Sequence, residues 1–441
     1  GNKIGTNSAG TAALGNLIGV FINDGDGNIV GTTNIGESNL ICSNTSAGII
    51  LDNDAMNTKI EKNYFGVTSN GNSVFAGSGN GAGISIKDCN TENIIGGNFQ
   101  KGNVFASNAV GIYVENSSDQ LVYGNRLGMN TGGTSLLGPA STGFGIYIND
   151  CSAPSTIDSN YVANSLVGIN VYNSSNLTLK NNILGNNMSG SSILGAGNQY
   201  AGVRLDSSKN NVVGPGNIIG GNFVGVNIAN ENADNNKIRG NKIGVNNSGN
   251  VAIPNKIGVA ISEGAKNNIV GGLYSVDKNV ISGNDSIGIV IRDPQTNNNI
   301  VSGNLIGLGG DQSTVLPNEK GVVIAENASL NVIGGSSADS VNFISGNTDV
   351  GVYFSTNASS NVVRGNKIGI KPDDSAAGNQ AAGVLLENTV NNKIGGFLVE
   401  EGNQISNNLA GIVLRAGVNE TNILRNSIYN NTGLGIDIND D

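Results

Sequence analysis

The amino-acid sequence predicts an all-β solenoid: a right-handed parallel β-helix of about 15 coils, three short strands per coil, with a two-coil superrepeat of about 60 residues. Three observations carry the prediction. First, a unit of two aliphatic runs joined at a Gly-Asn corner recurs, as in Asn299-Ile300-Val301-Ser302-Gly303-Asn304-Leu305-Ile306-Gly307 and Asn361-Val362-Val363-Arg364-Gly365-Asn366-Lys367-Ile368-Gly369. Its corner asparagine returns at Asn2, Asn63, Asn125, Asn182, Asn241, Asn304, Asn366 and Asn426. Second, a Gly-aliphatic-x-aliphatic segment begins at fifteen glycines from Gly19 to Gly435. Third, aliphatic residues alternate inside each run and none of the runs continues a helical period, so the local signal is strand throughout.

The first strand of each coil is the Gly-Ile-x-Ile segment. Its residues Ile84, Ile112, Ile146, Ile169, Val203, Val226, Val259, Ile289, Val322, Val352, Val384 and Ile412 hold equivalent positions and should stack as one inner ladder. β-branched side chains suit such a ladder because they are stiff and pack well on pleated sheet. The second and third strands are the two Asn-x-Ile runs. The corner asparagines between them should form another ladder, since Asn tolerates left-handed backbone and its amide both donates and accepts. Corner chemistry, rather than ligand binding, accounts for so much asparagine. Inserted residues follow the second strand in one coil (Gly271 to Lys278) and the third strand in the next (Gly309 to Pro317), which produces the two-coil period.

Composition bounds the partners. The chain has 441 residues, 67 Gly, no His and no Trp, with a hydrophobic fraction of 38% and a net charge of -10. A negative chain is a poor partner for nucleic acid or an anionic membrane, and no apolar run is long enough to span a bilayer. The missing histidine excludes every His-based acid, base or metal site. Cys42, Cys89 and Cys151 read as small apolar fillers, because the spacing of the last two exceeds disulfide reach. Residues 1–441 are expected to form a single domain, an excised part of a longer chain, because the sequence starts in a third strand and stops just after a first strand.

The segments Gly1-Asn2-Lys3-Ile4-Gly5-Thr6, the repeated Gly-Asn corners and the closing Gly433-Leu434-Gly435-Ile436-Asp437-Ile438 resemble the right-handed parallel β-helix repeat family, pectate-lyase-like in fold, of large secreted and cell-surface proteins. The resemblance covers the whole chain and implies the fold. It implies less about function, because that family includes polysaccharide lyases, epimerases and glycosidases alongside adhesins and passive stalks.

Candidate sites follow from the outward positions of the first strand, two and four residues after each glycine. The richest cluster is Tyr113, Glu115, Tyr147, Asn149, Asn170, Tyr172, Arg204 and Asp206. Aromatic rings with interspersed polar groups are what a sugar-binding groove requires. Glu115 and Asp206 lie three coils apart, roughly 14 Å, too far for a glycosidase carboxylate pair. Further along, the same row becomes apolar: Ala260, Val290, Val323, Tyr353, Leu385 and Val413. Such a stripe is either an interface with another copy, a flanking domain or a ligand, or is covered by corner loops. Two turns, Asp24, Asp26, Asn28 and Asp437, Asn439, Asp441, resemble calcium loops, although neither alone supplies six to eight oxygens; otherwise no cofactor is expected.

The reading favoured by the uniform repeat is an extracellular or cell-surface structural or adhesive module, a rigid stalk or filament segment with glycan or self-association contacts. The alternatives are a polysaccharide-active enzyme of lyase type, carried by Arg204, Asp206 and Tyr172, or a non-catalytic glycan-binding module.

Overall fold

A computed structural model describes all residues except 35, 99 and 439–441. The chain divides into two compact units, Gly1–Val212 and Val213–Asp441. Each unit is built from the same coil. In the first, one coil runs Val110–Glu115, Leu121–Tyr123, Arg126–Leu127. In the second, one runs Ile287–Ile291, Ile300–Ser302, Leu305–Ile306. Every third strand pairs in parallel, so each unit carries three parallel sheets, one for each side of the coil. The chain is a right-handed parallel β-helix, as the repeat predicts.

The inner ladder of the first sheet is present in both units. Ile84, Ile112, Ile146, Ile169 and Val203 are register partners with no exposed surface. Val226, Val259, Ile289, Val322, Val352, Val384 and Ile412 repeat this in the second unit. In the third sheet of the first unit, Phe65 and Phe105 stack with ring centroids 4.6 Å apart. The three cysteines are unpaired and buried, and burial pushes each thiol up to about 11.

The corner asparagines do form a ladder, but backbone conformation is not their role. None of Asn63, Asn125, Asn241, Asn304 or Asn366 has a positive φ; the left-handed residue is the one before it, such as Lys62 (φ 57°), Gly303 (φ 71°) or Gly365 (φ 60°). The asparagine instead turns its amide along the stack. Asn279 Nδ2 donates to Asn304 Oδ1 at 2.9 Å, and Asn304 Nδ2 donates to Asn342 Oδ1 at 3.0 Å and back to the Val270 carbonyl at 2.9 Å. The other two corners carry ladders of the same kind, which the sequence pattern alone does not separate. Asn268, Asn299, Asn331 and Asn361 stack between first and second strands. Asn255, Asn284, Asn318 and Asn347 stack between third and first.

The alternating insertions are where the spacing puts them. Those after the second strand contain single 3-10 turns at Ser275–Asp277, Ala338–Ser340 and Val399–Glu401. Those after the third strand close as small antiparallel loops, with bridges at Val245 to Ala252 and Leu308 to Val315.

The apolar row, read from the sequence as either an interface or a stripe under corner loops, is tightly packed along its length. Its residues are register neighbours, yet Ala260, Val290, Val323, Leu385 and Val413 keep only 5–6% exposure. Neighbouring side chains one sheet spacing apart shield one another, and Leu385 and Val413 pack with Val350 and Ala382 at the strand starts. Tyr353 stays half-buried and its hydroxyl donates to Glu387 at 2.8 Å.

Candidate functional site

The strand alternation of the first sheet in the first unit sends every second side chain outward. Strict register then converts sequence offsets into two rows. Tyr113, Tyr147, Asn170 and Arg204 follow one another in the inner row, two residues after each glycine. Glu115, Asn149, Tyr172 and Asp206 follow in the outer row, four residues after. All eight residues singled out from the sequence therefore share one face of the first unit. Asn170 is 5% exposed and contributes to its floor.

The rings set the geometry. Tyr113 and Tyr147 lie 5.4 Å apart with planes tilted by 57°, and Phe144 packs on Tyr147 at 4.7 Å. Burial pushes the Tyr113 hydroxyl above the usual phenol range, reinforced by its contact with Glu115. Burial does the same to Tyr147, reinforced by Tyr172 and by nearby carboxylates. Both tyrosines are thus neutral faces, with the Tyr113 hydroxyl already held by Glu115.

The charges are paired. Lys87 Nζ sits 2.8 Å from Glu115 and 5.6 Å from the centre of the Tyr113 ring. Lys87 chiefly holds the Glu115 carboxyl below its ordinary value, against the opposing effect of burial. A carboxyl held ionised in this way accepts hydrogen bonds and has no proton to give a leaving group. Arg204 Nη2 sits 2.9 Å from Asp206, with its guanidinium 5.8 Å from the Tyr200 ring. Glu115 and Asp206 are three register steps apart, as their offsets indicate.

The face extends further than the sequence cluster. Phe21, Ile50, Ser85, Tyr113 and Tyr147 form the floor of a shallow open groove, with Ala47 and Val110 along one side and Asp52 and Lys87 along the other. Phe21, Ile50, Asp52 and Lys87 sit at the same offsets from Gly19, Gly48 and Gly83, so the rule that found the cluster also reaches them once it is applied to the earlier coils. Asp88 and Asp150 were missed for a different reason. They follow the outer row at left-handed positions (φ 50° and 54°), where period-2 alternation no longer says where a side chain points. Asp150 accepts from Asn149 at 2.7 Å and from Asn173 at 2.6 Å, and Asp88 accepts from Asn116 at 2.5 Å.

The Asp24 turn is joined to the next coil. Asp26 accepts from Asn57 Nδ2 at 2.8 Å, and the Gly25 carbonyl and Gly27 amide pair with Met56. Of the second turn, Asn439 and Asp441 lie outside the described residues. Among the described residues, no three His, Cys, Asp or Glu side chains converge to hold a metal ion, and no helix is long and apolar enough to cross a membrane.

A sequence model described as a right-handed beta helix region matches residues 67–201. No curated protein matches the chain. Among solved structures, the chain is similar to the periplasmic alginate epimerase AlgG, with 16% identity over 77% of this chain and 76% of that one and a TM-score of 0.39. It is also similar to the Dettilon tailspike protein, with 10% identity over 86% and 60% and a TM-score of 0.36. The A-module of Azotobacter vinelandii mannuronan C-5 epimerase AlgE6 gives 11% identity over 93% and 90%, with a TM-score of 0.32.

Proposed function

We propose that this right-handed parallel β-helix is an extracellular module that holds a polysaccharide along the first sheet of its first unit. The observation that carries the reading is the register of the outward rows. Phe21, Ile50, Tyr113 and Tyr147 put aromatic or apolar side chains on the floor, with Ser85 among them and Asn170 and Arg204 beyond, and every coil from Asn23 to Asp206 sets a hydrogen-bonding side chain on the edge. Sugar rings present an apolar face and a rim of hydroxyls, and such a strip meets both. An extended polymer suits an open groove that runs across several coils, where a small ligand would find little enclosure. The ladders that lock the coils give the groove the rigidity of a structural or adhesive module, so holding a glycan and acting as a scaffold are compatible.

The test is affinity electrophoresis and calorimetry against a panel of soluble polysaccharides. Tyr147→Ala should weaken binding about tenfold, on the order of 1.4 kcal/mol, with the melting temperature little changed, since its ring is half-exposed. If no polymer binds, or binding survives Tyr147→Ala unchanged, the groove is ordinary surface.

Turnover is the second reading, favoured by Tyr172, Arg204 and Asp206 lying side by side. It requires fragments to be released from a polymer by the intact chain and not by Arg204→Ala. The pairing of Arg204 with Asp206 and the ionised Glu115 support binding over proton transfer.

A further inference from the structure

Resting on that groove, we propose that its ligand is an uncharged polysaccharide, recognised through ring faces and hydroxyl donors, and that polymers carrying carboxylate or sulfate groups are excluded. The argument is the distribution of charge about the floor. The row at the strand starts, from Ile18 through Val110 to Ala201, carries none. All the charge lies in the other rows. The outer row and the position directly after it hold Asp24, Asp52, Asp88, Glu115, Asp150 and Asp206, and among the described residues the only cations in the outward rows and at that position are Lys87 and, in the inner row, Arg204, while Asp26, Asp54 and Lys209 stand further round the corner. Both cations are spent on Glu115 and Asp206. Six carboxylates against two cations leave a net charge of -4 over these rows, with all the acids on the outer side.

The remaining acids are not neutralised by their partners. Asp88 and Asp150 are held by the amides of Asn116, Asn149 and Asn173, which satisfy lone pairs without adding positive charge. An ionised carboxylate only accepts hydrogen bonds, so this wall calls for donors from the ligand. Sugar hydroxyls are donors; sugar carboxylates and sulfates are acceptors with like charge. A polymer lying on the Tyr113 and Tyr147 rings would bring its substituents within a Debye length, about 8 Å at physiological salt, of that wall. An acidic polysaccharide would meet repulsion along its whole contact and find no unpaired cation among the described residues of these rows.

The experiment compares polymers that share a backbone and differ only in charge, using the full chain. Suitable pairs are fully methyl-esterified against de-esterified polygalacturonan, and hydroxyethyl- against carboxymethyl-cellulose, with galactomannan and xyloglucan as further neutral members. The expected result is that at least one neutral polymer binds, its affinity unchanged between low and high salt, and its charged counterpart binds at least tenfold more weakly and improves as salt is added. Asp52→Asn with Asp150→Asn, which keeps an acceptor oxygen at each position, should narrow that gap, the charged member gaining more than the neutral member loses. Equal or tighter binding of the charged member, or neutral binding that salt weakens, overturns the charge selectivity while leaving the groove intact. Absence of binding to every member, with Tyr147→Ala indistinguishable from the parent, removes the groove reading itself and this inference with it.

Discussion

Asn304 shows what one side chain does in this fold. It has no exposed surface, accepts from Asn279 at 2.9 Å, and donates to Val270, Ser302 and Asn342 at 2.9 to 3.0 Å. An alanine there would strand a buried amide on one side and carbonyls on the other. Each unsatisfied buried group costs about 1–3 kcal/mol, so Asn304→Ala should lower stability by roughly 3 kcal/mol in chemical denaturation. Asn304→Asp should be worse, because a carboxylate keeps the acceptor and turns the two donors into oxygens facing oxygens. If the alanine variant costs no more than one at an exposed asparagine such as Asn247, the ladder is decorative. The recurrence of Asn and the donor-acceptor role of its amide were legible in the sequence, but the left-handed backbone expected of it was not what the structure shows. Gly and Asn both tolerate left-handed backbone, so a Gly-Asn pair cannot say which residue turns the chain and which reaches along it. Here Gly303 turns and Asn304 reaches.

At the scale of the element, the glycine that opens each first strand is fixed by its neighbour in the next coil. A Cβ on Gly258 would stand 2.5 Å from the Gly288 carbonyl oxygen, and one on Gly288 would stand 2.6 Å from that of Gly321. The spacing of these glycines was the clearest landmark in the sequence, and coil stacking is its cause. The inserted loops are held by a second device that spacing alone did not expose. Arg364 donates to Glu401 at 2.6 Å and Arg239 contacts Asp277 at 3.3 Å, each pair joining the end of one second strand to the loop of the following coil. In the first unit the polarity is reversed, with Glu61 on the strand and Lys101 on the loop at 3.0 Å. The partners are 37 to 40 residues apart and become visible only once the coils are stacked. That reversal predicts tolerance to exchange. Glu401→Arg should cost about 0.5–1 kcal/mol, since the pair is only partly buried and like charges then meet. Adding Arg364→Glu should recover most of it in a double-mutant cycle. Failure of the double variant to recover would mean that the loop is held by hydrogen bonds, Leu398 N to Glu401 Oε2 at 3.2 Å and Gly365 N to Glu401 O at 3.0 Å, and not by charge.

For the molecule as a whole, a coil touches mainly the coils before and after it, so stability is a sum of nearest-neighbour terms rather than the property of one core. The same repetition explains why the fold was legible and the site only half so. A repeat writes its inner ladder many times, and each copy confirms the last. A site on the outer face is written once, in whichever coils depart from the consensus, and its charged wall was lost at Asp88 and Asp150 because left-handed corners break the alternation that locates side chains. The nearest-neighbour picture makes a spatial prediction within the second unit. Gly288→Ala places a methyl against the Gly321 carbonyl and the Asn318 amide, at 2.6 and 3.1 Å, where neither can move without displacing the ladders. Overpacking of this kind costs about 1–3 kcal/mol. In native-state hydrogen exchange the loss should be largest in Ile257–Ile261, Ile287–Ile291 and Lys320–Ile324 and should fade coil by coil, leaving Ala410–Leu414 near its parent protection. Were protection instead to fall equally in all these strands, the unit would unfold as one cooperative body, and coupling between coils would have to be far stronger than the stability of any coil alone.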